Sequence, residues 1–404
     1  MVGSQALDTG ASRRRVLPWV ALGVGVVLAG QAVVLALWPD AHLLMIDLQV
    51  YRAGGEHVLR GEPLYAGGVL LDLPFVYPPF AAALFAPLAL LPLGLLKIGW
   101  IVAGLGLLAH VVHRCGRSLG VPSGPGAAVA AVLLAVIATC LDPVRTTLYL
   151  GQVNIVLLAL VVGDLLGRRE SRWRGVGVGL AAAVKLTPLL FVGYLVVTGR
   201  LRAAATAVAT FAGAVALGFL VAPADSAAYW FDGTFAAADR ISDVAATTNH
   251  TLNGLLARLT ADGRPQTALW FAGAAVLGVA AVALAVRAHR AGEEVLAVTL
   301  CGLCSAAVAP FAWSHHWVWF VPLAVLLAHR AVAGSRAAGV MLLGVLGGTV
   351  AVVTARPGPG VGPIPRTGLI SLQPDVYLLV FVVVLLVSAL WLRREPAVQA
   401  DQQD

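Results

Sequence analysis

A polytopic all-α membrane protein is the fold this sequence predicts, and three features predict it. Hydrophobic residues fill 59% of the 404 positions and charged residues only 12%, about half the charged share of an ordinary soluble domain. The mean hydropathy is +0.88. The apolar residues gather into runs near the roughly 20 residues that cross a bilayer as a helix, and arginines punctuate the gaps between them. A net charge of +7 is often a sign of a nucleic-acid partner. Here the arginines stand at the ends of apolar runs, where they orient loops, so no nucleic acid is expected.

Taken in order, Arg13, Arg14 and Arg15 precede an apolar run at 16–38 that lacks a cleavage site. It reads as a first span with its N-terminus in the cytoplasm. The segment 39–93 is then a long first outer loop. Within it, 45–92 is too polar and too broken by Gly and Pro to span, and its apolar end, 80–91, is short enough to dip into the outer leaflet and return. Runs at 94–112, 127–140 and 155–166 cross in, out and in. Runs at 175–187 and 189–198 are short, meet at Lys185-Leu186-Thr187-Pro188, and read as a bent pair. The run at 203–222 leads to a second long outer segment, 223–266. Runs at 267–286, 295–310, 317–328, 336–353 and 376–392 bring the total to about 12 crossings, in a range of roughly 10–13. A polar tail follows at 396–404. The chain is one domain over 1–404 with both termini cytoplasmic, and 17 of its 25 arginines fall on the side so assigned, the bias that orientation requires.

Of the four cysteines, Cys115, Cys140, Cys301 and Cys304, the last two have the spacing of a zinc pair, but they lie inside an apolar run with no second ligand pair nearby, so they read as small core residues on one helix face. No Asp-x-Asp pair calls for a metal. No Gly-rich phosphate loop signals a nucleotide, and no other cofactor is implied.

With this topology the unusual polar residues share the outer side, whereas the inner loops hold little but arginine. Asp47 is a carboxylate at the mouth of a span, costly unless solvated or paired, and so an acid–base candidate beside the alternative of a helix cap. Arg52 lies five residues on, which is not a helical step, so no local ion pair is expected. Lys185 is one of two lysines in the chain; it either snorkels or meets a phosphate oxygen as a point charge. His315 and His316 follow a tryptophan, and adjacent histidines point different ways on a helix, which argues against zinc. Arg145 and Arg240 are alternative holders of a phosphate. Gln152 and Asn154 either hold sugar hydroxyls or cap a helix. Tyr51, Arg52, Tyr77, Asn249, His250 and Asn253 are candidates for the acceptor pocket; the sequon match at 249–251 is of a kind common by chance.

One carboxylate, groups suited to a phosphate and apolar helices suited to a lipid fit a lipid-phosphate-sugar transferase. A base takes the acceptor's proton while the phosphate leaves under charge neutralisation. A lipid-glycan transporter or flippase is the rival of another class; it would show an internal repeat and polar groups at both faces.

Six stretches carry a resemblance: DLQVYRAGG at 47–55, LPFVYPPFAA at 73–82, YLGQVN at 149–154, GLAAAVKLTP at 179–188, NHTLNGLLAR at 249–258 and WSHHWVWFVP at 313–322. In this order they resemble glycosyltransferase family 87, the polyprenol-phosphate-mannose-dependent mannosyltransferases of high-GC Gram-positive bacteria. The resemblance implies a GT-C fold whose long first outer loop holds the catalytic aspartate. Asp47 then becomes the general base, and one of His315 or His316 helps hold the donor phosphate. It implies a polyprenyl-phosphate-mannose donor, a mannosylated phospholipid or glycan acceptor, an inverting transfer forming an α-1,2 link, and a multi-pass place among the lipids of the plasma membrane with the site outside. Another lipid-linked sugar, arabinose or glucose, is the alternative within the fold. Family members often have AsnGlnSer where this chain has Asn249-His250-Thr251, which leaves the role of position 250 open.

Overall fold

The computed structural model describes residues 44–167, 171–236, 243–260, 264–354 and 374–394, together with 22, 24–30 and 32–33 of the first apolar run. Arg240, the tail and most of the 16–38 run lie outside the described residues. Among the described residues the regular structure is helical except for one two-stranded hairpin.

The stretch expected as an open loop begins with a helix, α1 (Ile46–Arg60). Asp47 in its first turn and His57 and Arg60 in its last complement the helix dipole. Gly61 ends it in the left-handed region at φ 67°, donating its N–H to the carbonyls of His57 and Val58. A hairpin follows, β1 (Gly68–Leu70) against β2 (Leu73–Pro74), with Leu71 and Asp72 at φ 46° and 60° in its exposed turn. Helix α2 (Pro79–Ala89) starts with proline at its first position, where the missing N–H has no intrahelical partner anyway. Its 11 residues reach about 16 Å, too short to cross. α2 lies close along α1 because Gly55 has no side chain: a Cβ there would come within 2.6 Å of the Phe85 carbonyl oxygen.

Helix α3 (Leu93–Ser118) is followed by α4 (Pro125–Ala138) and α5 (Asp142–Leu150), the last two bent by 85° at their junction. Then come α6 (Asn154–Leu165), α7 (Val176–Val184), α8 (Leu189–Val197), α9 (Leu201–Val221), α10 (Pro223–Trp230), α11 (Leu252–Leu259) and α12 (Arg264–Arg290). After α13 (Glu294–Ala307) a 3-10 turn, Ser314–Trp317, leads to α14 (Phe320–Val332), α15 (Arg336–Thr354) and α16 (Val376–Arg394).

Among the described residues four helices are long and apolar enough to cross a membrane: α3, α9, α12 and α16. The bent α4–α5 pair makes a fifth if it counts as one span, and the chain is a multi-pass membrane protein. Several other runs read from the sequence fold as helices too short to cross straight, because the bend before Asp142, the break at Lys185–Pro188 and the turn after Ala307 stop them. Of these, α6, α7 and α13 are mostly buried. Every residue of α13 from Val295 to Ala307 is buried, as an apolar helix without a polar face requires. The spans show apolar side chains outward instead, such as Leu220 and Val279, which suits lipid.

Candidate active site

Two antiparallel helices set the site. At the far end of α6, the Asp164 carboxylate accepts the backbone N–H groups of Gly175 at 2.8 and 2.9 Å and of Val178 at 3.0 Å. Its negative charge therefore caps the start of α7. Stapling that end aligns the other, so Asn154 at the start of α6 meets Lys185 at the end of α7. The ammonium donates to Asn154 Oδ1 at 3.2 Å and lies 2.7 Å from His316 Nε2. These three line a cavity of about 30 Å³ closed by Leu157, Pro188 and Trp319. Asn154 Nδ2 is buried and finds no hydrogen-bond acceptor among the described residues.

A second pair of elements brings the carboxylate in. α5 ends at Gly151, φ 71°, where a Cβ would stand 2.5 Å from Cβ of Leu48. Only glycine lets this corner seat on the first turn of α1. The next residue, Gln152, then donates from Nε2 to Asp47 Oδ2 at 2.8 Å. Its Oε1 accepts from the Tyr51 hydroxyl at 2.7 Å and from the Tyr77 hydroxyl at 3.2 Å, the two hydroxyls being 2.9 Å apart. Tyr51 is one helical turn after Asp47, the i,i+4 spacing that shares a helix face.

Burial raises the Asp47 carboxyl above its ordinary range, opposed by the Gln152 hydrogen bond and the charge of Lys185. His316 is held well below the usual imidazole range, by burial first and then by the charges of Lys185, His315 and His250. The pocket thus offers a carboxylate able to take a proton beside amine, imidazole and amide groups able to hold an anion.

The other sequence candidates are placed differently. Arg145 is bound at 2.7 Å to Asp142, which is fully buried and also accepts from Thr146 at 3.1 Å and Tyr377 at 2.8 Å. Arg52 turns to the Ala89 carbonyl at 3.0 Å. His315 stacks on Trp313, with ring centroids 5.6 Å apart and planes at 20°, while the His316 ring lies nearly perpendicular to it. Asn249 donates to the Val244 carbonyl at 2.9 Å, and its Oδ1 accepts from Thr251 and from the Ala312 N–H. His250 meets the Pro374 carbonyl at 2.7 Å, and Asn253 donates to Pro310 at 3.0 Å. Asn249, His250 and Asn253 therefore tie the 243–260 segment to its neighbours, and Asn249 is buried away from any glycosylating enzyme. Sequence reasoning missed the link from Asp47 through Gln152 to the two tyrosines. The i,i+4 spacing of Asp47 and Tyr51 was its only trace.

Fold and site together define a multi-pass helical membrane protein with an acid–base pocket sunk into its body. Comparison with known proteins narrows the class. The family model of glycosyltransferase family 87 matches residues 75–310. Gln152, Asn154 and Lys185 fall within that range, while Asp47 and His316 flank it. The chain is 38% identical over 298 residues, 70% of each chain, to a "polyprenol-phosphate-mannose-dependent alpha-(1-2)-phosphatidylinositol mannoside mannosyltransferase" of Mycobacterium tuberculosis (strain ATCC 25618 / H37Rv). It is 38% identical over 324 residues, 72% of each chain, to the protein so named in Mycolicibacterium smegmatis (strain ATCC 700084 / mc(2)155). A "polyprenol-phosphate-mannose-dependent alpha-(1-2)-phosphatidylinositol pentamannoside mannosyltransferase" of Mycobacterium tuberculosis (strain CDC 1551 / Oshkosh) is 34% identical over 293 residues, 70% of this chain and 66% of that one. No solved structure matches the chain. The chain belongs to glycosyltransferase family 87.

Proposed function

We propose that this enzyme moves mannose from polyprenyl-phosphate-mannose to a hydroxyl of a phosphatidylinositol mannoside, forming an α-1,2 link with inversion. The acceptor oxygen attacks the anomeric carbon opposite the phosphate, the bond from that carbon to the phosphate oxygen breaks, and Asp47 takes the acceptor's proton. The electron pair leaves on the phosphate, whose charge Lys185 neutralises while His316 and the Asn154 amide offer it hydrogen bonds. The observation that carries this reading is the pocket itself. A carboxylate with a raised proton affinity lies within the charge field of a lysine that is hydrogen-bonded to Asn154 and next to His316. The names of the related enzymes supply the sugar, its lipid carrier and the acceptor.

In this reading the body is of the GT-C type with about 12 crossings, 39–93 is the catalytic outer segment and both termini are cytoplasmic. The arginine bias supports an outward-facing site. The test is transfer in membranes from cells expressing the chain, given labelled polyprenyl-phosphate-mannose and phosphatidylinositol mannosides. A labelled acceptor with a new α-1,2-linked mannose is the expected product. Redistribution of the donor across the membrane without product would replace the transferase with a transporter.

A further inference from the structure

We propose that Gln152 is the positioning residue of Asp47, and that Tyr51 and Tyr77 lock its amide so that the NH₂ group, never the carbonyl, faces the carboxylate. This rests on Asp47 being the base of the proposed reaction, and it gives Gln152 a role other than contact with the sugar or the donor phosphate.

A glutamine amide has two ends of nearly equal shape, one donor and one acceptor. Turned over, it would set its oxygen against Asp47 and repel it. Two phenol hydroxyls at 2.7 and 3.2 Å from Oε1, able to donate to it, and a carboxylate that can only accept together favour the observed way round. Both phenols are buried, Tyr51 at 1% and Tyr77 at 6% exposure. The Tyr51 ring is clamped between Phe85, stacked at 4.6 Å, and the edge of Tyr77 at 5.2 Å. Burial pushes both hydroxyls above the ordinary phenol range, so they remain donors at every working pH.

The chain of donors has one direction, from the tyrosines through Gln152 to Asp47 Oδ2. Asp47 Oδ1 receives no hydrogen bond from the described residues, which leaves it to meet an acceptor hydroxyl. A bond donated to the ionised carboxylate also favours that form, against the burial that opposes it. The ionisable groups on the elements around Asp47 are Lys185 with His316 behind it, Tyr51 and Tyr77, Arg52 and Glu56 on α1, and the Asp142–Arg145 pair with Tyr149 on α5. Lys185 is the one whose charge adds to the effect of Gln152 on the carboxylate.

The experiment follows kcat/KM against pH for the full-length chain in membranes. Gln152→Leu should lower kcat by about 10- to 100-fold while donor KM stays within about threefold. Its acid limb should rise by about one pH unit, the worth of one charge-assisted bond. Gln152→Glu keeps the shape but sets a second carboxyl beside Asp47, and should raise the limb further. The double variant Tyr51→Phe, Tyr77→Phe leaves Gln152 in place but free to turn, and should move the limb the same way. If Gln152→Leu does not fold, the other two variants carry the test. A raised donor KM with an unmoved limb makes Gln152 a donor contact and overturns the proposal, as do unmoved limbs in all variants. Asp47→Asn in the same assay separates the failures. If it is active, Asp47 is not the base; if it is inactive while the limbs stay put, only the role of Gln152 falls.

Discussion

Lys185 Nζ lies 2.7 Å from His316 Nε2 across 131 residues of sequence. Burial holds the imidazole well below its ordinary range, so Nε2 is neutral and accepts from the ammonium. An anion alongside favours the charged form of both groups. His315, stacked on Trp313, is outside this pairing.

Replacing Lys185 by Met or His316 by Ala should weaken donor use by about ten- to a hundredfold, since a charge-assisted bond is worth roughly 1.5–3 kcal/mol. The loss should appear in kcat/KM for the donor, with the acceptor KM little changed. His315→Ala should lose less than His316→Ala. The opposite order would move the phosphate to the other face of the turn.

Asp47 sets a pH dependence. Burial raises its carboxyl, which must be ionised to take a proton, so kcat/KM should fall on the acid side, at a pH above the usual carboxylate range. An acid limb inside the ordinary carboxylate range would assign it to another group.

Orientation can be read with thiols. Gly67, Ser171 and Asp243 are exposed, and of the native cysteines Cys115, Cys301 and Cys304 are buried. In a Cys140→Ser background, Gly67→Cys and Asp243→Cys should react with an impermeant reagent on intact cells. Ser171→Cys should react only after permeabilisation. Labelling of Ser171→Cys on intact cells would invert the proposed topology and turn the pocket inward.

The helical membrane class was legible from the sequence because it depends on the summed apolarity of long runs, and α3, α9, α12 and α16 follow those runs closely. The helix at Ile46–Arg60 was not legible. Its polar residues and the Gly54-Gly55 pair suggest a loop, whereas those glycines admit Phe75 and α2 at close range. Sequence reasoning pointed to Asp47, Lys185 and the His315–His316 pair, without choosing between the two histidines, because charge is scarce in this chain. What it left unread was pairing across distance. The bonds from Asp47 to Gln152 and from Lys185 to His316 join residues 105 and 131 positions apart, and no local pattern records them. Arg145, read as an alternative holder of the phosphate, is instead tied to Asp142 three residues before it; that spacing is local, but only the fold shows the carboxylate buried and also held by Thr146 and Tyr377.

Three carboxylates compete for the role of base, and their surroundings separate them. Asp72 stands exposed in the hairpin turn at φ 60°, a conformation that asparagine tolerates well, so Asp72→Asn should match wild type in both yield and turnover. Asp142→Asn leaves the half-buried Arg145 without its charge partner, which costs up to about 3–5 kcal/mol, so it should fail as lost folded protein rather than as slow chemistry. Asp47→Asn keeps the shape, and its side-chain oxygen still accepts from Gln152 Nε2. It cannot take a proton near neutral pH, so turnover should drop by about 10²–10⁴-fold, the usual worth of a positioned base. Yield, thermal unfolding in detergent and donor binding should all persist, and binding should tighten slightly because a negative charge near the phosphate is gone. A folded Asp47→Asn enzyme that keeps more than about a tenth of wild-type turnover, against the hundredfold minimum expected of a lost base, would end the assignment of Asp47.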